Sequence, residues 1–122
     1  ALTRSGYLAA LIPEEQGGAG LPLSAAAAIL EEIHRAGCNG AACHAQMYVM
    51  GTLLRHGSAA QKERWLPAIA RGELRLQAFG VTEPTSGTDT GAIATTARLE
   101  GDRYVVRGQK LWTSRAEHSD LM

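Results

Sequence analysis

The chain has 122 residues, enough for one domain or a piece of a larger one, and 45% of them are apolar, close to the globular norm of about 45–50%. Lys and Arg number 12, as do Asp and Glu; the resulting zero net charge argues against a nucleic-acid-binding surface and against a polybasic membrane anchor. No apolar stretch approaches the roughly 18–20 residues of a membrane span, no charged region leads into an apolar one as in a signal peptide, and two cysteines cannot build a disulfide-dense scaffold, so a cytoplasmic setting is expected.

The chain starts without an initiator Met, which suggests a piece cut from something longer. Leu11 and Ile12 run into Pro13-Glu14-Glu15-Gln16-Gly17-Gly18-Ala19-Gly20, where one proline and three glycines predict a loop. Ser24 reads as an N-cap, and Ala26, Ile29, Leu30 and Ile33 behind it share one helical face. Gly37 to Gly40 interrupt that helix. A second follows, with Ala42, Ala45, Val49, Leu53 and Leu54 at helical spacing. It is expected to stop at Gly57, where glycine tolerates positive φ. Ser58 and Gln61 form a capping box that opens a third helix carrying Trp65, Leu66 and Ile69. Pro67 predicts a kink or an ending near it, and Gly72 closes the segment.

Beyond Gly72 the hydrophobic period changes. Leu76–Val81 is a short apolar run, Ala92–Leu99 is rich in Ala, Thr and Ile, and Glu100-Gly101-Asp102 predicts a tight turn into Tyr104-Val105-Val106. Lys110–Thr113 reads as a further strand. The expectation is therefore α+β, with residues 22–71 mainly helical and at least three strands within residues 74–116. So few strands leave open edges, a sign that the sheet is incomplete.

Two constellations carry candidate chemistry. Gln77 to Asp89 brings an apolar strand into a loop dense in hydroxyls and glycine, able to offer bare N–H and O–H donors to an anion such as pyrophosphate; composition alone favours ordinary turns. Trp112, at a strand end, reads by itself as core more readily than as a ligand contact. Glu83, next to Pro84, reads as structural, and Asp89 as an acceptor for backbone N–H groups in the loop. The second constellation is His34, Cys38, Cys43 and His44, four metal-ligand types whose spacing matches no common zinc pattern; buried thiols and ordinary histidines are the better reading. His56 and His118 read as surface residues. Met47, Tyr48 and Met50 could line an acyl pocket or pack between helices, with packing favoured for Met50.

Four motifs in order then give a family resemblance. Val81-Thr82-Glu83-Pro84-x-x-Gly87-Thr88-Asp89 resembles the signature of the acyl-CoA dehydrogenases. Pro13 to Gly20, Gln61-Lys62-Glu63-Arg64-Trp65-Leu66-Pro67 and Gly108-Gln109-Lys110-Leu111-Trp112-Thr113-Ser114 resemble three further segments of that family, and together they span nearly the whole chain.

The resemblance implies a fold in which residues 1–72 belong to an N-terminal helical domain and residues 73–122 start a β-barrel-like middle domain. It implies FAD as cofactor, contacted by Phe79, Gly80, Val81, Thr82, Gly87 and Thr88 in one segment and by Trp112, Thr113 and Ser114 in another. Thr82 would bond the pyrimidine end of the flavin, Thr88 would lie near the pyrophosphate and the bound acyl-CoA, and Trp112 would cover the flavin edge. Thr113-Ser114 stands where the family usually has Ile-Thr; Ser114 keeps the hydroxyl but loses a methyl that restricts rotamers. The implied reaction is oxidation of an acyl-CoA to the 2,3-enoyl-CoA, with electrons passed to an electron-transfer flavoprotein in a homo-oligomeric parent. An acyl-CoA oxidase, a flavin monooxygenase of the same fold, or a non-catalytic flavin- or CoA-binding module are the alternatives. The family's carboxylate base would lie beyond Met122, so no catalytic residue is assigned here and the 122 residues alone are expected to be inactive.

Overall fold

The computed structural model describes residues 2–122 and divides into two units. One comprises the residues up to Ala78 together with Arg115–Met122, and the other is Phe79–Ser114. The class is mixed α and β, as expected.

Three helices build the first unit: α1 (Leu23–Arg35), α2 (Ala41–His56) and α3 (Ala59–Ala70), preceded by single 3-10 turns at Tyr7–Ala9 and Glu14–Gln16. The expectation of mainly helix over residues 22–71 holds. The start of α1 differs: the helix begins at Leu23 behind Pro22, with no side-chain cap, and Ser24 lies in its first turn. Pro22, the N-cap, has an extended backbone and no N–H needing a partner, and the chain enters the helix two residues earlier than a Ser24 cap would place it. Gly37 then takes φ +73°, and the Asn39 side-chain oxygen accepts the Ala41 N–H at 2.8 Å to open α2.

Gly57 ends α2, but not through positive φ: it sits at φ −64°, ψ 144°. What it provides is room, because a Cβ there would fall 2.5 Å from the Leu53 carbonyl oxygen. The capping box forms as read from the sequence, with Gln61 N–H on Ser58 Oγ at 3.2 Å and Ser58 N–H on Gln61 Oε1 at 2.8 Å. The helix runs three residues past Pro67, which costs it one internal hydrogen bond without ending it. Gly72 at φ +73° closes it, and the Glu73 N–H reaches back to the Ala68 carbonyl at 2.9 Å.

Helical spacing places the apolar side chains in two clusters. Ile12, Met50, Leu66 and Ile69 are fully buried in the larger, against Ala9 and Leu76. Ala26, Cys43 and Met47 form the smaller, under Leu8, Ile29, Leu30 and Ile33. Each fully buried aliphatic side chain contributes about 1.5–3 kcal/mol. Met50 packs as expected. Cys38 does not: it is exposed, because it lies in the turn between α1 and α2 and on no helix face, while Cys43 is buried. His56 and His118 are exposed, as read.

The tail returns to this unit as a polar clip. Asp120 accepts the Arg75 N–H at 2.7 Å and two guanidinium bonds at 3.0 Å each, while Ser119 Oγ accepts the N–H groups of Gln77 and Ala78 at 2.7 and 3.1 Å. Behind the clip, Gln46 and Gln77 are buried and joined at 3.0 Å, and Arg115 Nε donates to Gln77 Oε1 at 2.8 Å.

In the second unit β1 (Thr96–Glu100) pairs antiparallel with β2 (Arg103–Arg107), with Glu100 opposite Arg103 and Gly101 at φ +64° in the turn. The turn and the second strand follow the sequence reading. The strand count does not: two strands form, where at least three were expected. In Leu76–Val81 the Gln77 and Ala78 N–H groups go to the Ser119 hydroxyl, and the run makes one isolated parallel bridge, Leu76 to Leu121. Lys110–Thr113 makes one backbone bond to Thr82 and no ladder. Thr90–Ala92 is a 3-10 turn, so β1 starts at Thr96 rather than near Ala92. Among the described residues no helix is long and apolar enough to cross a membrane.

Candidate functional site

Every candidate contact residue lies within Phe79–Ser114, and that unit is organised around a buried carboxylate. Glu83, 5% exposed, opens a tight turn in which its N–H and carbonyl pair with the carbonyl and N–H of Ser86. Pro84 at the second position of the turn pre-sets the backbone. The carboxylate accepts the Ala94 N–H at 2.7 Å on one oxygen. On the other it accepts Lys110 Nζ at 2.7 Å, the Thr95 N–H at 3.1 Å and the Thr95 hydroxyl. The Lys110 ammonium first, then the Thr95 hydroxyl and the Ala94 N–H, hold the Glu83 carboxyl down at about 2. The structural role read for Glu83 is thus realised through partners 11 to 27 residues away. Asp89 accepts the Gly91 N–H at 3.0 Å, as anticipated, and Ser86 Oγ donates to the Asp89 carbonyl.

The two candidate segments run side by side. Leu111 N–H donates to the Thr82 carbonyl at 2.8 Å, and Lys110 Nζ donates to the Val81 carbonyl at 3.1 Å. A Cβ on Gly80 would lie 3.1 Å from Lys110 Cγ and 3.5 Å from Thr113 Oγ1. Gly80, Val81, Thr82 and Thr113 are therefore brought together. Phe79 is 43% exposed, and Thr88 and Ser114 are exposed. No hydrogen bond joins Gly87 or Thr88 to Trp112, Thr113 or Ser114 among the described residues.

Trp112 is 86% exposed and holds φ +57°, a left-handed backbone that few non-glycine residues adopt. Gly87 has an ordinary φ, and a Cβ on it would meet open space, so internal packing gives no reason for glycine there. Among the described residues the N–H groups of Val81, Thr82, Gly87 and Thr88 donate to no acceptor within the chain. Four unspent donors, an exposed indole and the Thr82, Thr88, Thr113 and Ser114 hydroxyls suit a flat aromatic ring with polar edges and an attached anion. Lys110 and Thr95 carry no role in the sequence reading, although Lys110 stands inside the Gly108–Ser114 motif.

The His34, Cys38, Cys43 and His44 constellation does not assemble. No group of three or more His, Cys, Asp or Glu able to hold a metal ion occurs among the described residues. The Cys43 thiol lies 4.0 Å from the Met47 sulfur, and burial pushes its pKa up. His44 packs beside the Tyr48 ring at 6.0 Å between centroids.

Residues 1–73 match the family described as acyl-CoA dehydrogenase, N-terminal domain, and residues 78–122 match acyl-CoA dehydrogenase, middle domain. The chain is 42% identical to a 3-(aryl)acrylate reductase of Clostridium sporogenes over 98% of its own length and 32% of that protein. It is 41% identical to the human mitochondrial short-chain specific acyl-CoA dehydrogenase over 91% of its length and 27% of that protein. A solved acyl-CoA dehydrogenase complexed with FAD, from Bacillus anthracis, superposes with a TM-score of 0.79 at 35% identity, covering 98% of this chain and 21% of that one. The chain spans about a third or less of the length of these proteins.

Proposed function

The chain belongs to the acyl-CoA dehydrogenase family, and from that premise we propose that it supplies part of the cofactor face of an FAD-dependent enzyme oxidising an acyl-CoA to the 2,3-enoyl-CoA. The observation that supports this most is Trp112. A large indole set out at 86% exposure on a left-handed backbone is costly unless something covers it, and it stands beside the free donors of Val81 and Thr82. Bound FAD would take the β-hydrogen as hydride while a carboxylate takes the α-proton.

In this reading Val81 and Thr82 face the isoalloxazine ring and Thr82 bonds its pyrimidine end, with Phe79 and Gly80 leading into it. Trp112 covers the edge, Ser114 offers its hydroxyl near the reactive nitrogen, and Thr113 belongs to the same contact segment. Gly87 and Thr88 present N–H groups to the pyrophosphate, and Thr88 also meets the acyl-CoA. Residues 1–72 and 73–122 fall to the helical domain and the start of the middle domain. Glu83 is not the base: a buried carboxyl held at about 2 by Lys110 cannot abstract an α-proton. We assign no catalytic base among these residues, and the 122 residues alone are expected to be inactive. An electron-transfer flavoprotein as electron acceptor, a homo-oligomeric assembly and a role in fatty-acid metabolism complete the proposal.

The likeness to a 3-(aryl)acrylate reductase favours a second reading, in which the same carbon–carbon bond is reduced in an aryl-substituted substrate. One preparation separates the two. Full-length protein should be yellow, and anaerobic acyl-CoA should bleach it; recolouring of the reduced protein by a 3-arylacrylate but no bleaching by any acyl-CoA selects the reductase. Trp112→Ala with Thr82→Ala should weaken FAD binding by tenfold or more, since each lost contact is worth about 1 kcal/mol. A colourless protein that takes up no FAD on incubation overturns the reading.

A further inference from the structure

The Glu83–Lys110 ion pair does something that stability alone does not require. Glu83 is buried and Lys110 partly exposed; exchanging an enclosed ion pair for apolar side chains of similar volume is often neutral or stabilising and exposed pairs contribute little, so the pair is a poor way to gain folding energy. What it gives is direction. Lys110 Nζ reaches the Val81 carbonyl at 3.1 Å and Glu83 Oε1 at 2.7 Å, while the second Glu83 oxygen holds the Ala94 N–H. Three stretches of chain thus converge on one carboxylate, and the Leu111 N–H locks onto the Thr82 carbonyl beside it. Gly80 is part of the arrangement: a Cβ there would press on Lys110 Cγ at 3.1 Å and Cβ at 3.3 Å, so glycine lets the lysine stem pass. Trp112 follows Lys110 by two residues, and its aim depends on where that stem is held.

We propose that Glu83 and Lys110 are positioning residues for the flavin face: their ion pair sets the register between Val81-Thr82 and Leu111-Trp112 without either side chain touching the flavin, and Gly80 serves by admitting the lysine rather than the cofactor. The inference rests on the FAD reading above.

The test uses the full-length protein with Lys110→Met, which keeps the stem and removes the charge, Glu83→Gln, which keeps the shape and an acceptor oxygen, and the double variant. Lys110→Met should weaken FAD binding about tenfold, the equivalent of roughly 1.4 kcal/mol, and should change the visible circular dichroism of bound flavin while far-UV dichroism stays unchanged. The double variant should bind FAD better than Lys110→Met alone, because it leaves no lone buried carboxylate. Should Lys110→Met fail to fold, Glu83→Gln decides by the same two readouts. Wild-type Kd and an unshifted visible dichroism in Lys110→Met and Glu83→Gln overturn the inference and leave the FAD reading standing. Wild-type protein that binds no FAD overturns both.

Discussion

In the helical unit the fully buried side chains include Ile12, Met50, Leu66 and Ile69, whereas between Phe79 and Ser114 the buried residues are Glu83 and Ser86. Four large apolar side chains of the second unit face outward: Leu99, Tyr104, Val106 and Trp112 are all more than 60% exposed. Register explains part of this, since Ala97, Leu99, Tyr104 and Val106 share one face of the hairpin and nothing in the unit packs against that face. An apolar cluster resists separation but tolerates small shifts of its members, because the hydrophobic effect has no direction. A carboxylate with four donors fixes where each donor's segment lies. The difference teaches that one unit is built for stability and the other for the placement of loops, on a two-stranded hairpin that is marginal by itself.

The sharpest way to break the first half of the comparison is a cavity in the helical core. Leu66→Ala should cost about 2–5 kcal/mol, read by urea unfolding at 222 nm, because Leu66 is fully enclosed. The second half breaks with acid. The Glu83 carboxyl sits at about 2 instead of 4.5, so the stability it lends is complete above about pH 4.5 and is lost as pH falls from there through about 2. Protection of the Ala94 and Thr95 amides, measured against their intrinsic exchange rates, should fall across that window; unchanged protection there would contradict the role given to the Glu83 carboxylate. Asp120, held at about 2 by Arg75, should release the tail clip over a similar range, from 3.8 downward.

A smaller effect tests helix ends against helix cores. Ser58→Ala removes half of the capping box and should cost about 1 kcal/mol by thermal unfolding. The smallest compares ion pairs. Arg35 bonds Glu31 and Glu32 on the exposed surface of α1, and Arg35→Ala should change stability by no more than about 0.5 kcal/mol, fading further in salt. A loss as large as that from Leu66→Ala would contradict the distinction drawn between enclosed and solvated contacts.

What was legible in the sequence was local. Ser58 and Gln61 lie three residues apart, and Gly101 needs only its neighbours to make a turn, so short-range rules found both. Gly57 ends α2 through its missing Cβ and not through positive φ, because the crowding at Leu53 depends on how the chain leaves α2. The strands expected at Leu76–Val81 and Lys110–Thr113 failed because a strand needs a partner, and here Ser119 and Thr82 take up the bonds that a ladder would use. Recognisable motifs marked the candidate site residues, but the node that joins their segments was hidden. Thr95 and Lys110 meet Glu83 only across 12 and 27 residues of chain, and neither residue type announces such a meeting.

The contrast between the tryptophans turns the molecule into its own optical gauge. The chain has two, Trp65 and Trp112. Trp65 is partly buried beside the helical core with the Arg64 guanidinium 4.2 Å above its ring, while Trp112 stands almost wholly in water. Their fluorescence therefore separates: acrylamide should quench the red-emitting Trp112 steeply and Trp65 weakly. A flavin resting on Trp112 would extinguish that red component by energy transfer at contact range. Emission from an unmodified sample would then report occupancy of one unit and integrity of the other in a single spectrum.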